Sequence, residues 1–188
     1  MKVWIIRHGE SETNRAGQWT GWLDVQLTEK GREDAAKAGA LLAKTSFDKI
    51  YASDLCRAKS TAEIAIPGCK YEATPMLREI NVGNLAGKPL SAARDSNNRP
   101  MNLDGYARFD GESVAQFRER ITAFMHILES ENCENIALFS HRGYLIRFLE
   151  IVLGMEVPSK KICCNNCAIA VFEYADSAWK LHSWINLD

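Results

Sequence analysis

The chain has 188 residues, enough for one compact domain and too few for a multidomain machine. Hydrophobic residues make up 46% and charged residues 25%, which excludes the apolar-poor composition of a disordered chain. Lys and Arg total 23 against 24 acidic residues, so a net charge of −1 offers no basic field to a polyanion, and nucleic acid is disfavoured as a partner.

The first apolar run, Val3 to Ile6, is far shorter than a signal-peptide core or the ~20 residues that span a bilayer, and the later run from Leu145 to Leu153 is broken by Arg147 and Glu150. The expectation is a soluble, cytoplasmic protein with no membrane partner, whose six cysteines are reduced thiols. Val3 to Ile6, Lys49 to Ala52 and Ile136 to Phe139 read as strands buried on both faces, the signature of a parallel sheet. From Thr28 as N-cap, Ala35, Ala38, Leu41 and Leu42 recur at helical spacing. A second helix carries Leu55, Ala58, Ala62 and Ile66 on its inner face, capped by Ser53 or Asp54, with Arg57 in its first turn. The stretch from about Gly83 to Gly111, with Pro89, Pro100 and Asn97-Asn98, is unpatterned and reads as a loop-rich lid insertion in a single domain over residues 1–188. Val114, Phe117, Ile121, Phe124 or Met125, and Leu128 form an apolar stripe over four turns, and Leu145, Phe148, Leu149 and Val152 make another. Cys167 to Tyr174 and Trp179 to Ile185 read as two strands joined by a turn at Asp176-Ser177. The fold class is α/β, a mostly parallel sheet covered by helices.

In open α/β sheets ligands bind beyond the carboxyl ends of the strands. Three predicted strands are followed there by Arg7-His8-Gly9-Glu10, Ser53-Asp54-Leu55-Cys56-Arg57 and Ser140-His141-Arg142-Gly143. Either histidine alone reads as a hydrogen-bonded structural imidazole, and Arg57 alone as a solvated charge. Together, Arg7, His8, Arg57 and His141 predict a cationic pocket whose guanidinium forks match phosphate oxygens.

These residues carry a resemblance. Arg7-His8-Gly9-Glu10-Ser11-Glu12-Thr13-Asn14 is similar to the R-H-G-E-[ST]-x-x-N signature of the histidine phosphatase superfamily, also called phosphoglycerate mutase-like. Thr20-Gly21-Trp22, Leu27-Thr28-Glu29-Lys30-Gly31, Tyr51 to Ala58, Leu77-Arg78-Glu79-Ile80, Gly111-Glu112-Ser113 and Ser140-His141 extend it in the expected order. The resemblance implies a three-layer α/β sandwich and a metal-independent phosphomonoesterase, without cofactor, acting on a small phosphorylated metabolite. It implies His8 as nucleophile and Arg7, Arg57 and His141 as catalytic phosphate-binding groups, with His141 cationic in the loaded site. It further implies Glu79 as proton donor to the leaving alkoxide and Asn14, Thr20, Gly21 and Arg142 as phosphate-binding positions. The chain departs from the family at Arg142, where Gly commonly follows the second histidine. Two alternatives stay open: mutase-type phosphotransfer, because Thr20-Gly21-Trp22 is also similar to cofactor-dependent phosphoglycerate mutases, and a phosphate-ligand binding or regulatory module, because of Arg142. The Leu77 to Gly83 block is more similar to the phosphatase branch, in which α-ribazole-phosphate and fructose-bisphosphate phosphatases both remain open. A monomer or a homodimer is compatible with the sequence.

The remaining features have competing readings. Cys163-Cys164-Asn165-Asn166-Cys167 contains a C-x-x-C that suggests zinc or redox chemistry, but it lacks a second ligand pair and reads as ordinary thiols with Cys167 in the core. Trp19 and Trp22 line a substrate mouth or pack loops, and His126 is structural. Lys88, Arg94, Arg99 and Arg108 recognise a second anionic group or belong to a solvated lid.

Overall fold

A computed structural model describes residues 1–94, 97, 104–158 and 161–187. Among the described residues six strands form one sheet: β1 (Lys2–Arg7), β2 (Lys49–Ser53), β3 (Glu72–Thr74), β4 (Asn135–Ser140), β5 (Ile169–Ala175) and β6 (Ala178–Ile185). Their order is β3-β2-β4-β1-β5-β6; the first four run parallel, and β5 and β6 are antiparallel. Among the same residues five α-helices accompany them: α1 (Glu12–Arg15), α2 (Glu29–Leu42), α3 (Cys56–Ala65), α4 (Val114–Glu129) and α5 (Arg142–Leu153). The result is a three-layer α/β sandwich with a mostly parallel sheet.

Strand alternation sorts the core into two layers. Val3, Ile5, Ile136, Leu138 and Phe172 face α4 and α5, where Phe117, Ile121, Phe124, Leu145, Phe148 and Leu149 close the larger core. Ile6, Ala52, Ala137, Phe139 and Val171 face the other way, towards Leu42, Ala62 and Ala65 of α2 and α3. Those two helices approach closely because their facing residues are small. A Cβ on Gly39 would stand 2.5 Å from the Ala65 carbonyl oxygen.

Several expectations are corrected here. Leu41 is 38% exposed, because the α2 stripe runs through Ala35, Ala38 and Leu42 instead. Neither Ser53 nor Asp54 caps α3: Leu55 holds the N-cap position, and the Cys56 N–H donates to Asp24 Oδ1, 32 residues away, at 2.6 Å. Asp54 instead forms a bidentate pair with Arg78. The strand expected from Cys167 begins at Ile169, since Cys167 itself has a φ of 59°. The turn at Asp176 and Ser177 has φ of 53° and 58°, the left-handed pair that a tight hairpin uses. Between Gly83 and Gly111 the described residues contain short 3₁₀ turns at Gly83–Leu85, Leu90–Ala93 and Ala107–Phe109. Val82, Leu85, Ala93 and Tyr106 make a small apolar cluster of their own there, so the stretch is less polar in its packing than its composition suggests. Among the described residues no helix is long and apolar enough to cross a membrane.

Arg7, Ser53 and Ser140 end the parallel strands on one edge, with Arg7 opposite Ser140 in register. The loop leaving β1 meets the N-terminus of α2 backbone to backbone. A Cβ on Gly9 would lie 2.2 Å from the Gly31 carbonyl oxygen, and one on Gly31 would lie 2.1 Å from that of Glu10. Thr28 joins the two segments: its Oγ1 accepts from the Gly31 N–H and donates to Glu10 Oε1 at 2.7 Å. Gly31→Ala should therefore prise α2 from the loop and cost about 3 kcal/mol by urea denaturation, the size of a severe overpacking defect. A neutral substitution would contradict the close approach.

Candidate active site

The parallel-strand edge opens into a cavity of about 860 Å³. Arg7, His8, Asn14, Thr20, Gly21, Arg57, Glu79 and Arg142 all line it. His141 is fully buried behind that wall; its ring centroid lies 5.1 Å from that of His8, edge to face. Sequence elements more than 130 residues apart are thus brought to one place, because β1 and β4 are adjacent strands and His8 and His141 immediately follow them.

His8 is 4% exposed. Its Nδ1 lies 2.7 Å from the carbonyl oxygen of Gly9, which can only accept, so Nδ1 carries the proton and Nε2 keeps its lone pair. Its backbone is held from three sides: its N–H donates to the Ser140 carbonyl, and its own carbonyl accepts from the Cys167 N–H and from Asn166 Nδ2. Burial, then the Arg57 and Arg7 guanidinium groups, hold the His8 imidazole well below its ordinary pKa. His141 is held down in the same way, by burial first and then by Arg57, His8, Arg120 and Arg7.

Arg57 is not the solvated charge of the simplest reading, for it is fully buried. Its Nη1 and Nη2 donate to the carbonyls of Leu23 and Gly21 at 2.7 and 2.8 Å, and burial brings its pKa down to about 10, still cationic at neutral pH. The Gly21 carbonyl therefore faces the guanidinium. A side chain at Gly21 would meet Val82 Cγ2 at 2.5 Å, on a backbone with φ of +50°. Arg7 Nη1 donates to the Cys164 carbonyl. Four buried nitrogens of this group have no protein partner: Arg7 Nε, Arg57 Nε and both ring nitrogens of His141. Such orphans are rare in folded proteins; the two guanidinium nitrogens are donors, and neutral His141 adds one donor and one acceptor.

Asn14 uses its Oδ1 to accept from the Ser11 N–H and from Asn166 Nδ2, which fixes the amide and leaves its NH₂ as the donating half. Thr20 Oγ1 lies 2.6 Å from Thr13 Oγ1. Glu79 reaches across to α5, where its Oε2 accepts from the Gly143 N–H at 2.9 Å and its Oε1 from the Ile80 N–H. A Cβ on Gly143 would lie 2.1 Å from Glu79 Oε1, so the glycine after Arg142 is the space in which the carboxylate sits.

Sequence reasoning missed the clamp behind Glu79. Arg120 on α4 donates to the carbonyls of Met76, Arg78 and Glu79 and to both oxygens of Glu112. Glu112 Oε2 also accepts from the Asn81 N–H, and Trp22 Nε1 donates to the Glu79 carbonyl. Nothing in the sequence separates Arg120 from its neighbour Arg118, since its partners are main-chain oxygens. Trp22 serves this strap, with Arg78 stacked 4.8 Å from its ring, whereas Trp19 lines the cavity. Of the four cations considered for a second anion, Arg94 lines the cavity, Lys88 and Arg108 do not, and Arg99 lies outside the described residues. His126 is exposed and pairs with Glu129. Cys164 and Cys167 are buried and Cys163 is exposed, and among the described residues no three or more His, Cys, Asp or Glu side chains are grouped to hold a metal ion.

The family profile of the histidine phosphatase superfamily, branch 1, matches residues 3–187. A probable phosphoglycerate mutase of Photorhabdus laumondii is 31% identical over 98% of this chain and 90% of its own. The adenosylcobalamin/alpha-ribazole phosphatase of Salmonella typhimurium is 29% identical over 85% of this chain and 83% of its own. The crystal structure of phosphoserine phosphatase from Entamoeba histolytica, in complex with 3-phosphoglyceric acid, superposes with a TM-score of 0.83 at 26% identity, covering 99% and 97% of the two chains. The chain belongs to the histidine phosphatase superfamily.

Two outcomes follow from the geometry. Arg120→Met should cost about 2 kcal/mol in urea denaturation, since it strands the half-buried Glu112 carboxylate and three carbonyls; a loss below about 1 kcal/mol would show that the clamp is only a surface contact. The two imidazoles are held neutral in the fold but bind protons in the unfolded chain below about pH 6.5. Stability should therefore be full above that pH and fall below it, by up to about 1.4 kcal/mol per pH unit for each ring. His141→Asn should flatten the dependence, and a stability that rises on acidification would contradict it.

Proposed function

We propose that this member of the histidine phosphatase superfamily hydrolyses a small phosphomonoester through a phosphohistidine at His8. The observation that carries the reading is the bare Nε2 of His8 in a cavity that the Arg7 and Arg57 side chains also line. A phosphate dianion entering there accepts from Arg7, Arg57 and the Asn14 amide, and its charge favours uptake of a proton by His141. His8 Nε2 then attacks phosphorus as the ester P–O bond breaks, and splitting one displacement into two lowers each barrier. The dispersed charge of the phosphoryl group is stabilised by groups already in place, so little reorganisation accompanies the step. Glu79, which lines the same cavity, gives its proton to the leaving alkoxide and later takes one from the water that cleaves the phosphohistidine. Arg142 opens the same helix as Gly143 and adds positive charge to the phosphate end of the cavity.

The Photorhabdus relative's name favours a second reading, in which another alcohol and not water receives the phosphoryl group. The first half-reaction is common to both, so the discriminating measurement is the acceptor.

Wild type, His8→Ala and Glu79→Gln should be assayed on p-nitrophenyl phosphate and on an alkyl phosphate, with chelator present, while release of inorganic phosphate is followed. The proposal expects no turnover by His8→Ala, undiminished wild-type activity in chelator, and a loss of about 10²–10⁴-fold for Glu79→Gln on the alkyl ester. That loss should be smaller on the nitrophenyl ester, whose leaving group needs no proton. Wild-type rates retained by His8→Ala would overturn the nucleophile, transfer to added phosphoglycerate without phosphate release would favour the mutase, and tight binding without turnover would favour a regulatory module.

A further inference from the structure

The buried face of α3 carries Arg57, Ala58, Thr61, Ala62 and Ala65, and Thr61 is its one uncharged polar residue, fully enclosed. Burying a hydroxyl is unfavourable unless it is bonded, so its partners show what it is for. Thr61 stands one helical turn beyond Arg57, and its Oγ1 donates its only proton to the Arg57 carbonyl at 2.7 Å. With that proton committed, the oxygen can only accept, and the Gly9 N–H donates to it at 3.0 Å. One hydroxyl thus ties the turn that follows His8 to the turn of α3 that carries Arg57.

The Gly9 N–H belongs to the same peptide unit as the His8 carbonyl, and that carbonyl accepts from the Cys167 N–H and from Asn166 Nδ2. A peptide unit is planar, so Thr61 on one side and Asn166 and Cys167 on the other fix its plane. Rotation at Gly9 itself is what remains free, and glycine has the widest conformational range of any residue. Contact with α2 limits it, because a Cβ there would lie 2.2 Å from the Gly31 carbonyl oxygen. The Gly9 carbonyl held in this way is the one that accepts from His8 Nδ1 at 2.7 Å. A slip of the peptide plane would release the ring to turn, and with it the tautomer that leaves Nε2 bare. Gly9 and Thr61 are both buried, so solvent is a poor substitute for the hydroxyl.

Taking the phosphohistidine reading as its basis, we propose that Thr61 is a positioning residue for the reaction: its hydroxyl holds the His8–Gly9 peptide, and through it the attacking nitrogen of His8, in fixed register with Arg57. Thr61 does not line the cavity, so it acts through His8 and not on the substrate. Attack requires Nε2 to be aligned with phosphorus, and a misplacement of about 1 Å costs on the order of a hundredfold in rate. The side chains that bind phosphate, Arg7, Arg57 and Asn14, keep their own partners, so the effect falls on kcat and not on affinity.

The test compares Thr61→Val, which keeps the shape and removes the hydroxyl, with Thr61→Ser, which keeps the hydroxyl. Turnover of p-nitrophenyl phosphate, affinity for inorganic phosphate by calorimetry and the ¹⁵N shifts of the His8 ring are read for each. Thr61→Val should lower kcat by about ten- to hundredfold, leave the phosphate Kd within about threefold and mix the two neutral tautomers of His8. Thr61→Ser should recover most of the rate and the wild-type shifts. Wild-type kcat and shifts in Thr61→Val, or a Thr61→Ser as impaired as Thr61→Val, overturn the assignment. Equal losses of kcat and affinity with unchanged shifts overturn it as well, since they report a general disturbance of the fold. Should Thr61→Val fail to fold, hydrogen exchange of the wild type decides: protection of the Gly9 amide to the level of the core upholds the tie, and rapid exchange overturns it. A displaced tautomer in Thr61→Val, with no turnover of any phosphomonoester by the wild type, upholds Thr61 as the holder of the ring and overturns hydrolysis, so the two failures are separable.

Discussion

The site depends on one hydrogen bond, from His8 Nδ1 to the carbonyl oxygen of the next residue, Gly9. A neutral imidazole has a single lone pair, and this contact decides that it resides on Nε2, the nitrogen left for the cavity. The bond exists only because the chain turns tightly after β1. That turn in turn requires Gly9 and Gly31 to pass backbone to backbone, with Thr28 tying Glu10 to the first turn of α2. Packing of a helix against a loop thereby sets the protonation pattern of a ring. The brace continues through Asn166, which donates both to the His8 carbonyl and to the Asn14 side chain. The cysteine-rich segment thus contributes main-chain groups and an asparagine to the site.

Around that ring the fold tolerates a cost. Arg57 is fully enclosed with carbonyls for partners and its Nε unmatched, while His141 has neither ring nitrogen satisfied. Buried donors without acceptors each cost on the order of 1–3 kcal/mol, and the penalty is larger when charge is involved. In the proposed reaction the charge of an arriving phosphate dianion offsets part of that cost, because it favours the cationic guanidinium groups and protonation of His141. The guanidinium groups of Arg57 and Arg7, which help hold the two histidines neutral, are the ones that the proposed reaction gives to the anion. Glu79 stands in the space left by Gly143, on a strap whose main chain is held by Arg120 and Trp22.

Elements whose signal lies in side-chain periodicity were legible in the sequence. Val3 to Ile6, Lys49 to Ala52 and Ile136 to Phe139 are strands because they are apolar on both faces, and Arg7, His8, Arg57 and His141 meet because they follow such strands in a parallel sheet. The Arg-His-Gly-Glu block and the Leu-Thr-Glu-Lys-Gly block each look like a motif, but only the coordinates show that their glycines face one another. What the sequence concealed is mostly contact with main-chain atoms, which carry no residue code. Asp24 caps α3 from 32 residues away, Arg120 grips three carbonyls, and Arg7 rests on the carbonyl of Cys164. Leu41 misled for a different reason: at helical spacing it lies one position beyond the arc that α2 buries, and the small residues Ala35 and Ala38 determine that arc. The stretch after Gly83 reads as unpatterned because its apolar residues are scattered, and Leu85, Ala93 and Tyr106 converge only once the chain has turned.

The most direct measurement is the tautomer of His8 in the ligand-free protein, read from the ¹⁵N chemical shifts of its two ring nitrogens across a pH titration. The account requires a protonated Nδ1 and a bare Nε2 at neutral pH, persisting well below the ordinary imidazole range. A ring that carries its proton on Nε2, or that is already an imidazolium at neutral pH, would contradict it.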